Sequence, residues 1–219
     1  MHAVGIDIGG TKIAAGVVDA EGALLATTRR DTNPEEPSYI EDAVVDAIAE
    51  LRRDFEISAV GVAAAGFVDP TRSRVMFAPN IAWRDYPLRE ILEARLELPV
   101  DVENDANAAG WGEFRFGAGR EVSDMVMLTV GTGLGGAIVL DGNLLRGAAG
   151  AAAEVGHMRV VPNGRACGCG HDGCWETYVS GTALVRETRA ALATDPARAE
   201  RLLELAGGKA KRVTGPHVT

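Results

Sequence analysis

The chain has 219 residues, 47% hydrophobic and 24% charged, enough to bury a sizeable core in one large domain or two small ones. Its 31 acidic and 22 basic residues leave a net charge of −9, which repels phosphate backbones and anionic lipid. Arg29-Arg30, Arg52-Arg53 and the basic residues between Lys209 and Arg212 form only isolated clusters, so neither nucleic acid nor membrane is expected as a partner.

The opening Met1-His2-Ala3-Val4-Gly5 passes into a strand-like run with no basic flank, no long apolar segment and no cleavage signature, so a cytoplasmic protein is expected. Apolar runs at 3–8 and 13–19, joined by Gly9-Gly10-Thr11-Lys12, predict two strands, and a third follows at 23–28 after the Glu21-Gly22 turn. Ser38 with Glu41 three residues on is a capping-box signature, and Ile40, Val44, Ile48 and Leu51 recur at helical spacing, so a helix is expected over 38–54. A buried strand at 59–64, a helix at 88–96 behind Pro87 and a short strand at 100–102 come next.

A bridging helix at 106–116 leads into a second run of the same design. It has a strand at 125–130, a glycine-rich turn at 131–136, a strand at 137–140, the Asp141-Gly142 turn, a third strand candidate near 157–161, and helices at 182–193 and 197–205. Residues 207–219 read as a polar, glycine-containing tail. Two copies of a strand meander followed by alternating helices and strands predict an α/β, actin-like (ribonuclease H-like) ATPase fold, with domains at 1–105 and 106–219 around a cleft. The second domain is expected to be incomplete, leaving an open sheet edge.

Four constellations carry chemistry. Asp7-Ile8-Gly9-Gly10-Thr11-Lys12 sets a carboxylate at a strand end beside a turn whose glycines let phosphate oxygens approach backbone N–H groups, with a hydroxyl and an amine next to it. A plain hairpin with a surface lysine is the other reading of that segment. Gly131-Thr132-Gly133-Leu134-Gly135-Gly136 has the G-x-G-x-x-G spacing of a dinucleotide site, but that site needs a helix next and 137–140 reads as strand.

In Glu103-Asn104-Asp105-Ala106-Asn107, polar side chains stand where a buried strand meets a helix. Two roles are open for Asp105, a helix N-cap or a general base that takes the proton of a hydroxyl attacking a γ-phosphate, with Asn104 fixing the same substrate. His157 with Cys167, Cys169 and Cys174 supplies one imidazole and three thiolates, the donor set of a closed, structural Zn²⁺ site. Glu154 and Glu176 flank that set, either as solvated surface charges or as acceptors for sugar hydroxyls.

Together these segments resemble the ROK family of sugar kinases and related repressors over nearly the whole chain, including Glu154-Val155-Gly156-His157 and Cys167-Gly168-Cys169-Gly170-His171-Asp172-Gly173-Cys174-Trp175-Glu176. The resemblance implies that Asp105 is the catalytic base and that Asn104, Glu154, His157 and Glu176 contact the sugar. It also implies that His157 and the three cysteines bind zinc. By the same analogy Gly66 and Asn80 line the sugar side of the cleft, and Asp7 is directed toward Mg²⁺. Gly9, Gly10, Thr11, Lys12, Gly131, Thr132 and Gly133 would lie near the phosphates of ATP.

Within the family the glucose kinases of high-GC Gram-positive bacteria are most similar, which implies phosphorylation of the 6-hydroxyl of glucose, the first step of glycolysis, by a homodimer or homotetramer in the full-length form. Family kinases continue for about a hundred further residues, so a chain shortened at its C-terminus is expected. The alternatives are a sugar-responsive transcriptional repressor without its DNA-binding domain and an inactive sugar- and zinc-binding fragment.

Overall fold

The computed structural model describes residues 1–218; Thr219, the last residue of the expected tail, lies outside them. Strand β1 (His2–Ile8) alternates, with Val4, Ile6 and Ile8 in the core and Gly5 and Asp7 on the other face. It turns back into β2 (Lys12–Val18) with Ile8 opposite Ile13, and β3 (Leu24–Asp31) extends the antiparallel meander.

Helix α1 (Pro37–Leu51) covers one face of this sheet with Ile40, Val44, Ala47, Ile48 and Leu51. The expected capping box is absent. Pro37 occupies the first turn and its fixed φ suits helix entry there, so Glu36 takes the N-cap position without a side-chain bond. Glu41, the supposed reciprocal partner of Ser38, is instead buried, accepting a hydrogen bond from the Tyr86 hydroxyl and pairing with Arg95 at 3.3 Å.

Strand β4 (Ile57–Ala64) runs parallel to β1, with Ile8 beside Ala64. Next come three short strands without a clear sequence signal, β5 (Phe67–Val68), β6 (Val75–Phe77) and β7 (Arg84–Tyr86), which pair antiparallel in a sheet of their own. Helix α2 (Leu88–Leu96) buries Leu88, Leu92 and Leu96, and β8 (Val100–Asn104) joins β4 in parallel. The five-stranded order is therefore β3-β2-β1-β4-β8, and α3 (Asp105–Phe116) begins at the residue after β8.

The second meander is β9 (Met125–Val130), β10 (Leu134–Leu140) and β11 (Asn143–Leu144), in the order β11-β10-β9. Its third strand thus comes much earlier than residues 157–161. Asp141 and Gly142 both have positive φ, 47° and 74°, the geometry of a tight hairpin turn that sends the chain straight back. Residues 157–161 follow a 3₁₀ turn at Val155–His157, and the N–H groups of Val160 and Val161 donate to the Gly173 carbonyl.

After α4 (Glu176–Val179), Ser180 caps α5 (Gly181–Thr194) by accepting the N–H of Ala183. Helices α6 (Glu200–Leu205) and α7 (Gly215–Val218) follow. The predicted polar tail is folded over its described residues, 207–218. Val213 is fully buried with Leu192 and Ala206, and the Arg189 guanidinium donates to the Val213 carbonyl at 2.8 Å. The chain divides into two compact units, Met1–Val126 with Ala137–Ala152, and Met127–Gly136 with the chain from Ala153 onward.

Candidate functional site

In the first unit Asp7 lies near the end of β1, and Asn104 and Asp105 lie where β8 ends. Asn104, not Asp105, is the N-cap of α3; its side-chain oxygen accepts the N–H of Asn107 at 3.0 Å. That releases Asp105 from the capping role. Its Oδ1 accepts the N–H of Ala106 at 2.9 Å and the side-chain amide of Asn104 at 3.1 Å. The same Asn104 amide donates to the Gly66 carbonyl at 3.1 Å, so three of the predicted residues form one connected group.

Gly66 is required at its position, because an added Cβ would lie 2.5 Å from the Phe77 carbonyl oxygen. The loop that follows carries Asn80 and rests on the first glycine turn, where a Cβ on Gly10 would come within 3.2 Å of the Asn80 Cβ. That turn is closed by the Gly9 N–H donating to the Lys12 carbonyl at 2.9 Å, while the Thr11 carbonyl accepts from Thr32 at 3.2 Å.

Desolvation raises the pKa of Asp105, with the Ala106 N–H and the Asn104 amide opposing it. Although its surface is open to solvent, the carboxylate is flanked by enough protein to lose part of its hydration. Asp7 is raised too, first by desolvation and then by the negative charge of Asp105. Two carboxylates that feel each other in this way favour a proton or a cation nearby.

In the second unit the Gly131–Gly133 turn closes through the Gly131 N–H to the Gly133 carbonyl at 3.0 Å. It leans on the start of α5, where the Gly181 N–H donates to the Gly131 carbonyl at 2.8 Å and the Thr182 hydroxyl to the Thr132 carbonyl at 2.7 Å. The following segment is strand β10, which removes the dinucleotide reading. Glu176, at the start of α4, comes close enough to Gly133 that a Cβ there would meet its Oε2 at 2.8 Å.

The three cysteines are free thiols and lie with His157 in one group, all four ligand atoms within 4.8 Å of one another. The Cys169–Cys174 sulfurs are 3.6 Å apart, and Cys167 Sγ is 3.6 Å from His157 Nδ1. Bonds of about 2.3 Å in a tetrahedron place thiolate sulfurs about 3.8 Å apart, so the donor set fits a four-coordinate metal. Glu176 Oε1 accepts from the Cys167 thiol at 3.2 Å and stands 3.9 Å from His157 Nδ1. Glu154 precedes the 3₁₀ turn, its carbonyl accepting the His157 N–H at 3.0 Å.

Sequence reasoning passed over two supports. One Arg84 nitrogen donates to the carbonyls of Ala78, Ile81 and Trp83 at 2.9, 3.2 and 2.6 Å, shaping the loop that carries Asn80. Glu103 pairs with Arg146 at 2.7 Å, across a sequence distance that leaves no local pattern. Only its place beside Asn104 marked Glu103 out.

A glycine hairpin feeding a sheet whose two further strands run parallel, with a carboxylate on the first strand and a second glycine hairpin later, defines the actin-like ATPase fold. The chain belongs to the ROK family, whose sequence profile matches residues 3–213. A glucokinase of Streptomyces coelicolor is 53% identical over 216 residues, covering 99% of this chain and 68% of that protein. Among solved structures, a ROK family glucokinase from Streptomyces griseus in complex with glucose and AMPPNP superposes with a TM-score of 0.89 at 51% identity, over 99% of this chain and 69% of that one. A ROK hexokinase from Thermus thermophilus gives 0.77 at 38% identity, over 94% and 74%. Among the described residues no helix is long and apolar enough to cross a membrane.

Proposed function

We propose that this protein transfers the γ-phosphate of ATP to the 6-hydroxyl of glucose, in the cytoplasm, as the first step of glycolysis. The observation that carries the reading is the β8–α3 junction. Asn104 takes the capping role, and Asp105 is left as a partly desolvated carboxylate tied to the same side chain that grips Gly66. Two relatives at about half identity over nearly the whole chain are glucokinases.

Asp105 accepts the proton of the attacking hydroxyl, and its raised pKa makes it a stronger base than an ordinary surface aspartate. Asn104, Gly66, Asn80, Glu154, His157 and Glu176 are the residues assigned to sugar hydroxyls. The backbone N–H groups of Gly9, Gly10, Thr11, Gly131, Thr132 and Gly133, with the Lys12 amine, receive the phosphates. Mg²⁺ bound with ATP would neutralise phosphate charge, and Asp7, whose ionisation is opposed by burial and by Asp105, is the residue assigned to it.

Zn²⁺ at His157, Cys167, Cys169 and Cys174 would fix the loop that carries these sugar contacts. With Nδ1 of His157 turned to Cys167, its Nε2 is the atom assigned to a sugar hydroxyl. For the complete protein we assign a domain boundary at 105/106 and a homodimeric or homotetrameric state.

A coupled assay of ATP-dependent glucose phosphorylation tests the reading directly. Asp105→Asn should lower kcat by about 10³-fold while glucose affinity, followed by calorimetry, changes little. Turnover that survives the substitution would remove Asp105 from the role of base, and specific operator binding in place of turnover would favour the repressor alternative.

A further inference from the structure

Glu103 is the last-but-one residue of β8, and its side chain is only 16% exposed. It does not extend toward water. Its Oε1 turns back to accept the backbone N–H of Asn104 at 3.0 Å and the side-chain amide of Asn107 at 3.3 Å. A carboxylate so enclosed is held in that pose by its partners, since an unpaired buried charge is costly. Arg146 meets its other oxygen, with Nε 2.7 Å from Oε2.

Arg146 comes from the loop after β11, which is itself well seated. The Arg146 carbonyl accepts the Ala152 N–H at 2.9 Å. Gly150, with φ of 75°, lies so close to β5 that an added Cβ would fall 2.1 Å from the Val68 carbonyl oxygen. The guanidinium is thus delivered by a loop packed against β5 within the first unit, unlike a freely moving surface arginine, whose ion pair would contribute little.

From these contacts we infer that Arg146, through Glu103, is a positioning residue for Asn104 and Asp105. The guanidinium holds Glu103, and Glu103 holds the Asn104 main chain and the Asn107 amide. Asn107 donates its N–H to the Asn104 oxygen at 3.0 Å, and Asn104 presents its amide to Asp105 at 3.1 Å. Without the cation the Glu103 carboxylate turns outward, the Asn104 N–H loses its acceptor, and the junction carrying Asp105 loosens. The kinetic consequence rests on the kinase reading; the structural one does not.

The test compares wild type with Arg146→Gln, Arg146→Lys and Glu103→Gln. In glucose phosphorylation, Arg146→Gln should lower kcat by about tenfold to 100-fold with KM for glucose shifted less than about threefold, as expected for a displaced catalytic group. Arg146→Lys should recover part of the loss, and so should Glu103→Gln, which keeps a carbonyl acceptor for Asn104. Methylguanidinium, but not methylammonium, should raise the rate of Arg146→Gln.

Amide hydrogen exchange gives the second readout. Arg146→Gln should speed exchange at Asn104 and Asn107 while α1 and β1 keep their protection. Unchanged exchange at Asn104, or loss of protection throughout the unit, would overturn the assignment. So would a rise in KM with kcat intact, the mark of a direct substrate contact. If wild type itself phosphorylates no glucose, the kinase reading fails, and the exchange comparison still decides whether the pair positions the junction.

Discussion

The two glycine hairpins have nearly the same local design and quite different surroundings. Strand β1 lies in the middle of its sheet, with β2 on one side and β4 on the other, and Val4, Ile6 and Ile8 are at most 2% exposed. Among the described residues strand β9 is at an edge, paired with β10 alone, and Val126, Leu128 and Val130 are 65%, 44% and 65% exposed. A glycine turn between apolar runs therefore encodes the hairpin, while the neighbours that come from elsewhere in the chain set how much each strand contributes to stability. The first hairpin is held by a shared apolar core; beside the second stands a loop folded around thiols.

The largest test of that contrast is metal removal. Structural zinc sites contribute on the order of 10 kcal/mol of folding free energy, so a strong chelator should abolish amide protection across 155–176 while β1, β2 and α1 stay protected in hydrogen exchange. Equal loss in both units would show that the thiol loop is no separate support.

Side-chain truncation probes the same difference one step down. Ile6→Ala, in the core, should cost about 2–5 kcal/mol in denaturant unfolding, whereas Val130→Ala should stay within about 0.5 kcal/mol. Comparable losses would mean that β9 is packed in solution.

Glycines give the next scale. Gly66→Ala should cost about 1–3 kcal/mol, because its Cβ meets backbone at Phe77 and Ala78, while Gly131→Ala, with nothing within 4 Å, should leave the thermal midpoint close to wild type.

The smallest effect concerns acid. Asp69 is surrounded by donors, the Thr71 hydroxyl and the N–H groups of Arg74, Ser73 and Thr71, which outweigh desolvation and hold its pKa down to about 2. A carboxyl with a depressed folded pKa stabilises the fold above its unfolded value of about 3.9, and that contribution disappears as pH falls toward about 2. Asp69→Asn should accordingly flatten the loss of stability over that interval, read from thermal midpoints between about pH 5 and about pH 2.

Much of this was legible in local pattern. Apolar runs on either side of a glycine turn marked β1 and β2, helical spacing marked α1, the repeat of the first design marked α5, and the clustering of three cysteines with His157 marked the thiol group. Misreadings arose where local signals competed. Ser38 and Glu41 have capping-box spacing, yet Pro37 starts the helix and Tyr86 and Arg95 claim Glu41. An apolar run near 157–161 looked like strand, but the Asp141-Gly142 turn had already supplied the third one. The short strands β5, β6 and β7 span only 2 or 3 residues each, too few for a periodicity to register.

Chain order alone fixed the duplicated hairpins, the carboxylates at strand ends and the metal-type donor set, because each of these depends on residues close together in sequence. Only the folded chain decided that Asn104 takes the cap and frees Asp105, that Gly66 and Asn80 reach the same neighbourhood, and that Arg146 pairs with Glu103. The cap is a local bond to Asn107, left open in the sequence because Asn104 and Asp105 are both capping residue types. The other contacts join residues far apart in sequence, brought together by sheet order and loop packing, and no short-range periodicity carries that information.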